Sequence, residues 1–256
     1  MSDDLNLEKI KAETEQSLSR NKRILSALFI LGIFAFICFI YFAPEFTSAE
    51  KQIIFKFPRS AQQIYELSKV ILGYTQNSYY YVISLFCFLY VFLQSFAIPG
   101  PLILSILGGA LFGFWKAMLV VTTCATLGAT LCYILSETLG KGIIIRKFPG
   151  PLMKANNLIN EHKHHLFFYL LFLRVTPIVP NWLINISSPI LGISLKYFIT
   201  ATFLGLIPGN CIHINAGTMI SSMQEVGLNL NSILILLVLG VLALIPTLIF
   251  KKPKVN

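Results

Sequence analysis

From residue 24 to residue 43 the chain reads ILSALFILGIFAFICFIYFA, twenty positions without a charge. At about 1.5 Å per residue such a run crosses roughly 30 Å of hydrocarbon, so it predicts a transmembrane helix. A cleaved leader would have a shorter apolar core and a small-residue cleavage site, whereas this run ends in Tyr41-Phe42-Ala43-Pro44-Glu45, which marks an uncleaved anchor. Further apolar stretches cover 82–115, 116–136, 166–193, 197–220 and 232–250. Two of them contain their own breakers. Residues 82–98 run straight into Pro99-Gly100-Pro101, and the next arm, LILSILGGALFGFW, is too short to cross comfortably. Residues 166–193 carry Pro177 and Pro180 near their middle. Short apolar arms on either side of a proline break predict re-entrant hairpins, at about 82–115 and 166–193, that dip into the bilayer and return.

This pattern predicts an all-α polytopic membrane protein, and composition agrees: 55% of residues are apolar and 12% charged. With both hairpins re-entrant, the full spans are 24–43, about 116–136, about 196–217 and 232–250, which puts both termini on one side. That side holds five Lys/Arg in 1–23, five in 141–165 and three in the tail 251–256, against four in 44–81 and none in 218–231. The bias makes the termini cytosolic and 44–81 a non-cytosolic loop. A formal charge of +9 is therefore explained by topology and does not call for a nucleic-acid partner.

The two hairpin regions share an order of features. Pro99-Gly100-Pro101 and Pro180-Asn181 each open an apolar arm with Leu-Ile at matching places, a glycine closes the arm (Gly113, Gly192), and Lys116 or Lys196 begins a full span. One unit, hairpin plus helix, is repeated. Because each unit crosses once, the copies enter from opposite faces, an inverted-topology repeat of the kind that builds midplane sites from broken helices.

Arg174 sits in the second unit, in FLRVTPIVPNWLIN. A central arginine costs about 2.5–3.5 kcal/mol on insertion scales, so it must face protein or a wet cavity. With the amides of 181–184, Asn181 and Asn185 it forms a candidate phosphate site, since the ends of broken helices favour anions. The other reading has Arg174, eight residues from Leu166, snorkelling to the cytosolic surface. Asn210, His213 and Gly217 make a polar stripe on the 196–217 span, either lining the cavity or forming a hydrogen-bonded helix contact. Gly108, Gly109 and Gly113 suit close backbone approach.

The segments SFAIPGPLILSILGGALFG (95–113), LGATLCYILSETLG (127–140), FLRVTPIVPNWLINISSPILGI (172–193) and FLGLIPGNCIHINAGTMI (203–220) resemble the VTT-domain (DedA-like) superfamily, in particular its eukaryotic transmembrane protein 41 branch. The resemblance spans most of 82–220. It implies two facing re-entrant loops, residence in the endoplasmic reticulum, and energy-independent phospholipid scrambling that supports autophagosome formation. Membrane phospholipids are then the chain's principal partners, beside autophagy or lipid-transfer proteins and a second copy of the chain. The candidate lipid-contacting residues are Pro99, Gly100, Pro101, Gly108, Gly109, Gly113, Arg174, Pro177, Pro180, Asn181, Asn185, Pro208 and Asn210. Prokaryotic members commonly carry an acid in or near the first hairpin and couple transport to ions. Residues 82–115 contain none. Glu137, at the end of a span, is the acid within reach of this unit, either paired with Arg174 or solvated.

Other features have plainer readings. The five cysteines lie in apolar segments without metal-ligand spacing. His162-Lys163-His164-His165 is a basic membrane-facing stretch, next to an interfacial helix starting at Pro151. No nucleophile–base arrangement, paired carboxylates, metal or cofactor motif appears, so the chain reads as a non-enzyme. The tail KPKVN looks like a dilysine retrieval signal, which requires a cytosolic end. Besides a scramblase, the sequence admits an ion-coupled transporter of a lipid-linked or small anion, or a structural membrane organiser.

Overall fold

A computed structural model of the chain describes residues 2–140, 166–176 and 179–226. Pro177, the segment 141–165 with its histidines, the 232–250 span and the 251–256 tail lie outside the described residues. Among the described residues the fold is all-helical: α1 (Ser2–Tyr41), α2 (Ser48–Ile54), α3 (Ala61–Ser95), α4 (Pro101–Leu135) with a π-helical turn Ser136–Gly140, α5 (Leu166–Val175), α6 (Asn181–Ile190) and α7 (Leu195–Val226). Four stretches of the described residues are long and apolar enough to cross a membrane: Gln16–Tyr41, Ser78–Ser95, Pro101–Gly140 and Leu195–Ser222. The protein is thus a multi-pass membrane protein.

The segment 44–81, expected as a loop, holds α2 and the first half of α3. Thr47 and Glu50 form a capping box that starts α2, each side chain bonding the other's backbone N–H. A kink at Ser78 (φ −136°, ψ 37°) separates the outer part of α3 from its membrane-spanning part.

Proline and glycine chemistry sets the two breaks. After Ser95 the chain reverses through Ala97 (φ 55°) and Gly100 (φ 151°), and Pro101 opens α4 at the first-turn position where a missing N–H costs nothing. The first arm of α4, 101–112, then runs antiparallel to α3, with Tyr90 bonded to Ser105 and Phe86 against Phe112. Gly113 (φ 70°, ψ 171°) kinks α4, dividing the arm from the long helix that follows. In the second unit Pro180 caps α6, and Gly192 (φ 72°) turns the chain into α7.

α4 and α7 form the central antiparallel pair. Their backbones touch: a Cβ on Gly109 would lie 2.1 Å from the Ile214 carbonyl oxygen, and one on Gly217 1.8 Å from that of Ile106. One apolar core, including Phe86, Tyr90, Leu107, Val121 and Ile214, joins α3, α4 and α7. A second, with Tyr133, Leu170, Ile184, Ile193 and Phe198, seats α5 and α6 on them. Hydrogen bonds from Tyr133 to the Ile193 carbonyl (2.6 Å) and from Ser136 to that of Ile186 (2.7 Å) pin the end of α6 to α4.

Candidate functional site: a cavity between two helix breaks

Two groups of polar side chains meet where the breaks approach each other. The first is a buried cluster around Arg174, whose side chain is only 6% exposed. Its Nη2 donates to Asn185 Oδ1 and Thr202 Oγ1, both at 2.8 Å, while Nη1 makes longer bonds to Asn181 Oδ1 (3.3 Å) and the Asn181 carbonyl (3.5 Å). The guanidinium carbon lies 4.9 Å from the centre of the Phe198 ring. Two short charge-assisted bonds contribute about 1.5–3 kcal/mol each, enough to offset the insertion cost of the arginine. Among the described residues no carboxylate joins this cluster, and oxygen dipoles and a ring face compensate its charge.

Helix spacing explains the assembly. Phe198, Thr202 and Gly205 share one face of α7 at i, i+4 and i+7. Gly205 is small for a reason: a Cβ there would sit 2.4 Å from Arg174 Cβ. Asn181 and Asn185 are one turn apart on α6 and bracket the guanidinium. Asn185 is fully buried, and its Nδ2 is an unpaired buried donor.

The second group lines a cavity of about 620 Å³. The 97–102 break forms one wall and Asn181 with Trp182 another, while Asn210 and His213 of α7 face Tyr90, Gln94 and Ser105. Leu102 (53% exposed) and Trp182 (49%) mark its mouth. Among the described residues no lining side chain is a carboxylate, lysine or arginine. The lining therefore offers neutral donors and acceptors: three amides from α3, α6 and α7, an indole, an imidazole and hydroxyls. Asn181 belongs to both groups, lining the cavity and accepting from Arg174.

Of the residues singled out in the sequence, Pro99, Gly100, Pro101, Asn181 and Asn210 line the cavity. Arg174 and Asn185 lie behind its wall in the buried cluster. The guanidinium neither reaches the surface nor bonds Glu137, which is exposed. Pro180 caps α6 next to the lining, and Pro208 sits within α7. Gly108 and Gly109 serve helix packing, with Gly108 against Phe86 and Val121, and Gly113 supplies the kink. Asn210 fulfils both roles foreseen for the α7 stripe, since its Nδ2 also donates to Thr122 Oγ1 at 3.2 Å. Sequence reasoning missed Thr202, Phe198, Trp182 and the Tyr90–Ser105 pair. A turn-by-turn stripe on α7 was the available signal for the first two, and nothing in sequence says which helix faces which.

The VTT domain family model matches residues 98–219, from the first break to the end of the glycine contacts on α7. The chain is 39% identical to the Transmembrane protein 41 homolog of Caenorhabditis elegans, over 90% of this chain and 93% of that one. It is 37% identical to Transmembrane protein 41B of Gallus gallus (95% and 91% covered) and 38% to that of Homo sapiens (90% and 81%). The chain belongs to the VTT-domain family, in its transmembrane protein 41 branch. No solved structure matches it. The matched region of this VTT-domain protein contains the whole Arg174 cluster and most of the cavity wall. Tyr90, Gln94 and Ala97 complete the lining from just before it.

Proposed function

We propose that this VTT-domain protein is an energy-independent phospholipid scramblase of the endoplasmic reticulum, with cytosolic termini, supplying lipid redistribution to autophagosome formation. The break at 96–100 and the one between α5 and α6 are the tips of two re-entrant hairpins that enter from opposite faces as an inverted repeat. The observation that carries the reading is the cavity between them. Its volume falls in the range of about 300–1,000 Å³ typical of small-ligand sites, so a phosphate-ester headgroup has room. Its neutral lining can hydrogen-bond phosphate without gripping it, and a passage must bind weakly enough to let its cargo leave.

Electrostatics adds direction. The Arg174 guanidinium lies one side chain behind Asn181 and carries a charge that no described carboxylate cancels, so the cavity wall favours a negative headgroup oxygen. Arg174 acts here through Asn181, as a positioning residue, instead of by touching phosphate. Apolar Ile98, Leu102 and Leu206 beside the polar groups suit a route in which headgroups pass the breaks while acyl chains stay in the bilayer. Phospholipids are thus the direct partners. Autophagy and lipid-transfer proteins, and a second copy of the chain, are partners of the larger process.

Purified protein in liposomes carrying fluorescent phospholipid in both leaflets tests this. A scramblase exposes both pools to an impermeant reductant with no gradient applied. Flux that requires an ion gradient would instead identify a secondary transporter, and no flux a structural organiser of the membrane.

A further inference from the structure

Away from the apolar helices and their immediate ends, the most exposed large apolar side chains in the described residues stand on one short segment. Phe55 is 63% and Phe57 58% exposed, directly after α2 and beside exposed Lys51, Lys56 and Arg59. This segment is not a free tether. Ile53 and Ile54 pack against the main core, and the Tyr74 hydroxyl donates to Glu50 Oε2 (2.8 Å) with the Glu45 carbonyl oxygen 3.1 Å away. The ring of Phe46 also meets Tyr74 edge-on at 4.8 Å. Two phenyl rings are therefore held outward by a fixed scaffold.

The level of this scaffold follows from aromatic contacts between spans. Phe39 of α1 lies 6.2 Å from Tyr81 of α3, and Tyr79 lies 6.5 Å from Phe112 of α4. These contacts bring the end of α1, the start of the α3 span and the Gly113 kink to one height. Exposed Tyr41 (83%), Tyr80 (83%) and Trp115 (82%) stand beside them. Tyrosine and tryptophan concentrated at one end of several spans mark a membrane–water boundary. Residues 43–47 lead from that boundary into α2.

We propose that α2 and the following turn, Ser48–Arg59, form a lipid-docking element on the leaflet at the C-terminal end of α1, with the headgroup layer of the surrounding bilayer as occupant. Phe55 and Phe57 enter the acyl boundary, and Lys51, Lys56 and Arg59 reach lipid phosphates. Apolar rings flanked by cations are the composition that interfacial anchoring requires, and the element is continuous with the aromatic girdle. Glu50, the acid of α2, is occupied by Thr47 and Tyr74, so the charge offered to the leaflet is positive.

The test uses the full chain in phosphatidylcholine vesicles containing phosphatidylglycerol, with an environment-sensitive fluorescent amino acid at position 57 or, as control, at Gln62. The fluorophore at 57 should emit to the blue of the control. Lipids brominated near the headgroup should quench it more than deeply brominated ones, and iodide on both sides should leave it nearly unquenched. The triple change Lys51→Gln, Lys56→Gln and Arg59→Gln should weaken the lipid quenching. Iodide access equal to that at 62 would overturn the proposal. So would shielding from both quenchers, which would mean that protein covers the segment.

Discussion

Arg174 Nη2 and Thr202 Oγ1 lie 2.8 Å apart, so the arm that ends at the second break is tied to the long helix α7 by a buried, charge-assisted hydrogen bond. Asn185 takes the other Nη2 hydrogen at the same distance. Arg174→Gln leaves both oxygens without a donor, at about 1–3 kcal/mol each. A lower unfolding temperature in detergent, together with slower scrambling, is the expected result. Thr202→Val removes one partner at constant shape and should give a smaller loss of the same kind. A parent-like unfolding temperature for Arg174→Gln would contradict the cluster.

Arg174→Lys separates charge from geometry. A lysine keeps the positive charge but cannot hold Asn185, Thr202 and Asn181 together, because its ammonium is a point and not a fork. Stability and scrambling rate should fall between those of the parent and Arg174→Gln. Lipid flux equal to the parent's would show that charge alone suffices.

The glycine contacts give a paired stability test. Gly217→Ala and Gly109→Ala each drive a methyl into a backbone carbonyl of the facing helix, which cannot rotate away. Each should destabilise by several kcal/mol, since overpacking of about 1–3 kcal/mol is the cost where side chains can adjust. Gly73→Ala, in α3, meets nothing within 4 Å. It should stabilise by about 0.4–1 kcal/mol. Thermal unfolding of the three variants measures both signs.

At the mouth of the cavity, Leu102 is half exposed, so a larger ring there costs the fold little. Leu102→Trp should reduce lipid flux in liposomes while leaving the unfolding temperature unchanged. Undiminished flux would place the lipid route elsewhere.

Acid should loosen α2. Hydrogen bonds from the backbone and side chain of Thr47, then from Tyr74, hold the Glu50 carboxyl below its ordinary value near 4.5. That stabilisation is fully present above the ordinary value and is lost as pH falls through the lower folded one. Burial, then the hydrogen bond to Glu50 and its charge, raises the Tyr74 hydroxyl above its ordinary 10, so this side of the contact persists until pH rises through the raised value. The difference in unfolding temperature between parent and Glu50→Ala should stay flat between about pH 5 and 9 and shrink at lower pH. A difference that grows in acid would refute the assignment.

The apolar runs, the two proline breaks and the lysines that follow them were legible in the sequence because each rests on a local rule. Hydrocarbon thickness fixes span length, and proline's missing N–H and fixed φ disfavour a helix interior, although Pro189 and Pro208 stand inside α6 and α7. Arg174 was visible as a feature for the same reason: a charge in an apolar run is costly in any fold. What answers that charge was not visible. Thr202 and Phe198 lie 28 and 24 positions further on, and only the packing of α5 against α7 brings them to the guanidinium. Tertiary structure likewise separated residues that the sequence grouped, leaving Arg174 behind the cavity wall and Asn181 on it. It also gave Gly108 and Gly109 to helix contact and Pro99, Gly100 and Pro101 to the cavity. The segment 44–81 looked like a loop because it lacks a membrane-length apolar run. It is helical because a capping box and the core contacts of Ile53, Ile54, Ile64 and Leu67 supply the stability that its own composition does not. Local rules thus determined where helices stop, and side-chain burial between distant segments decided which stops meet to form a site.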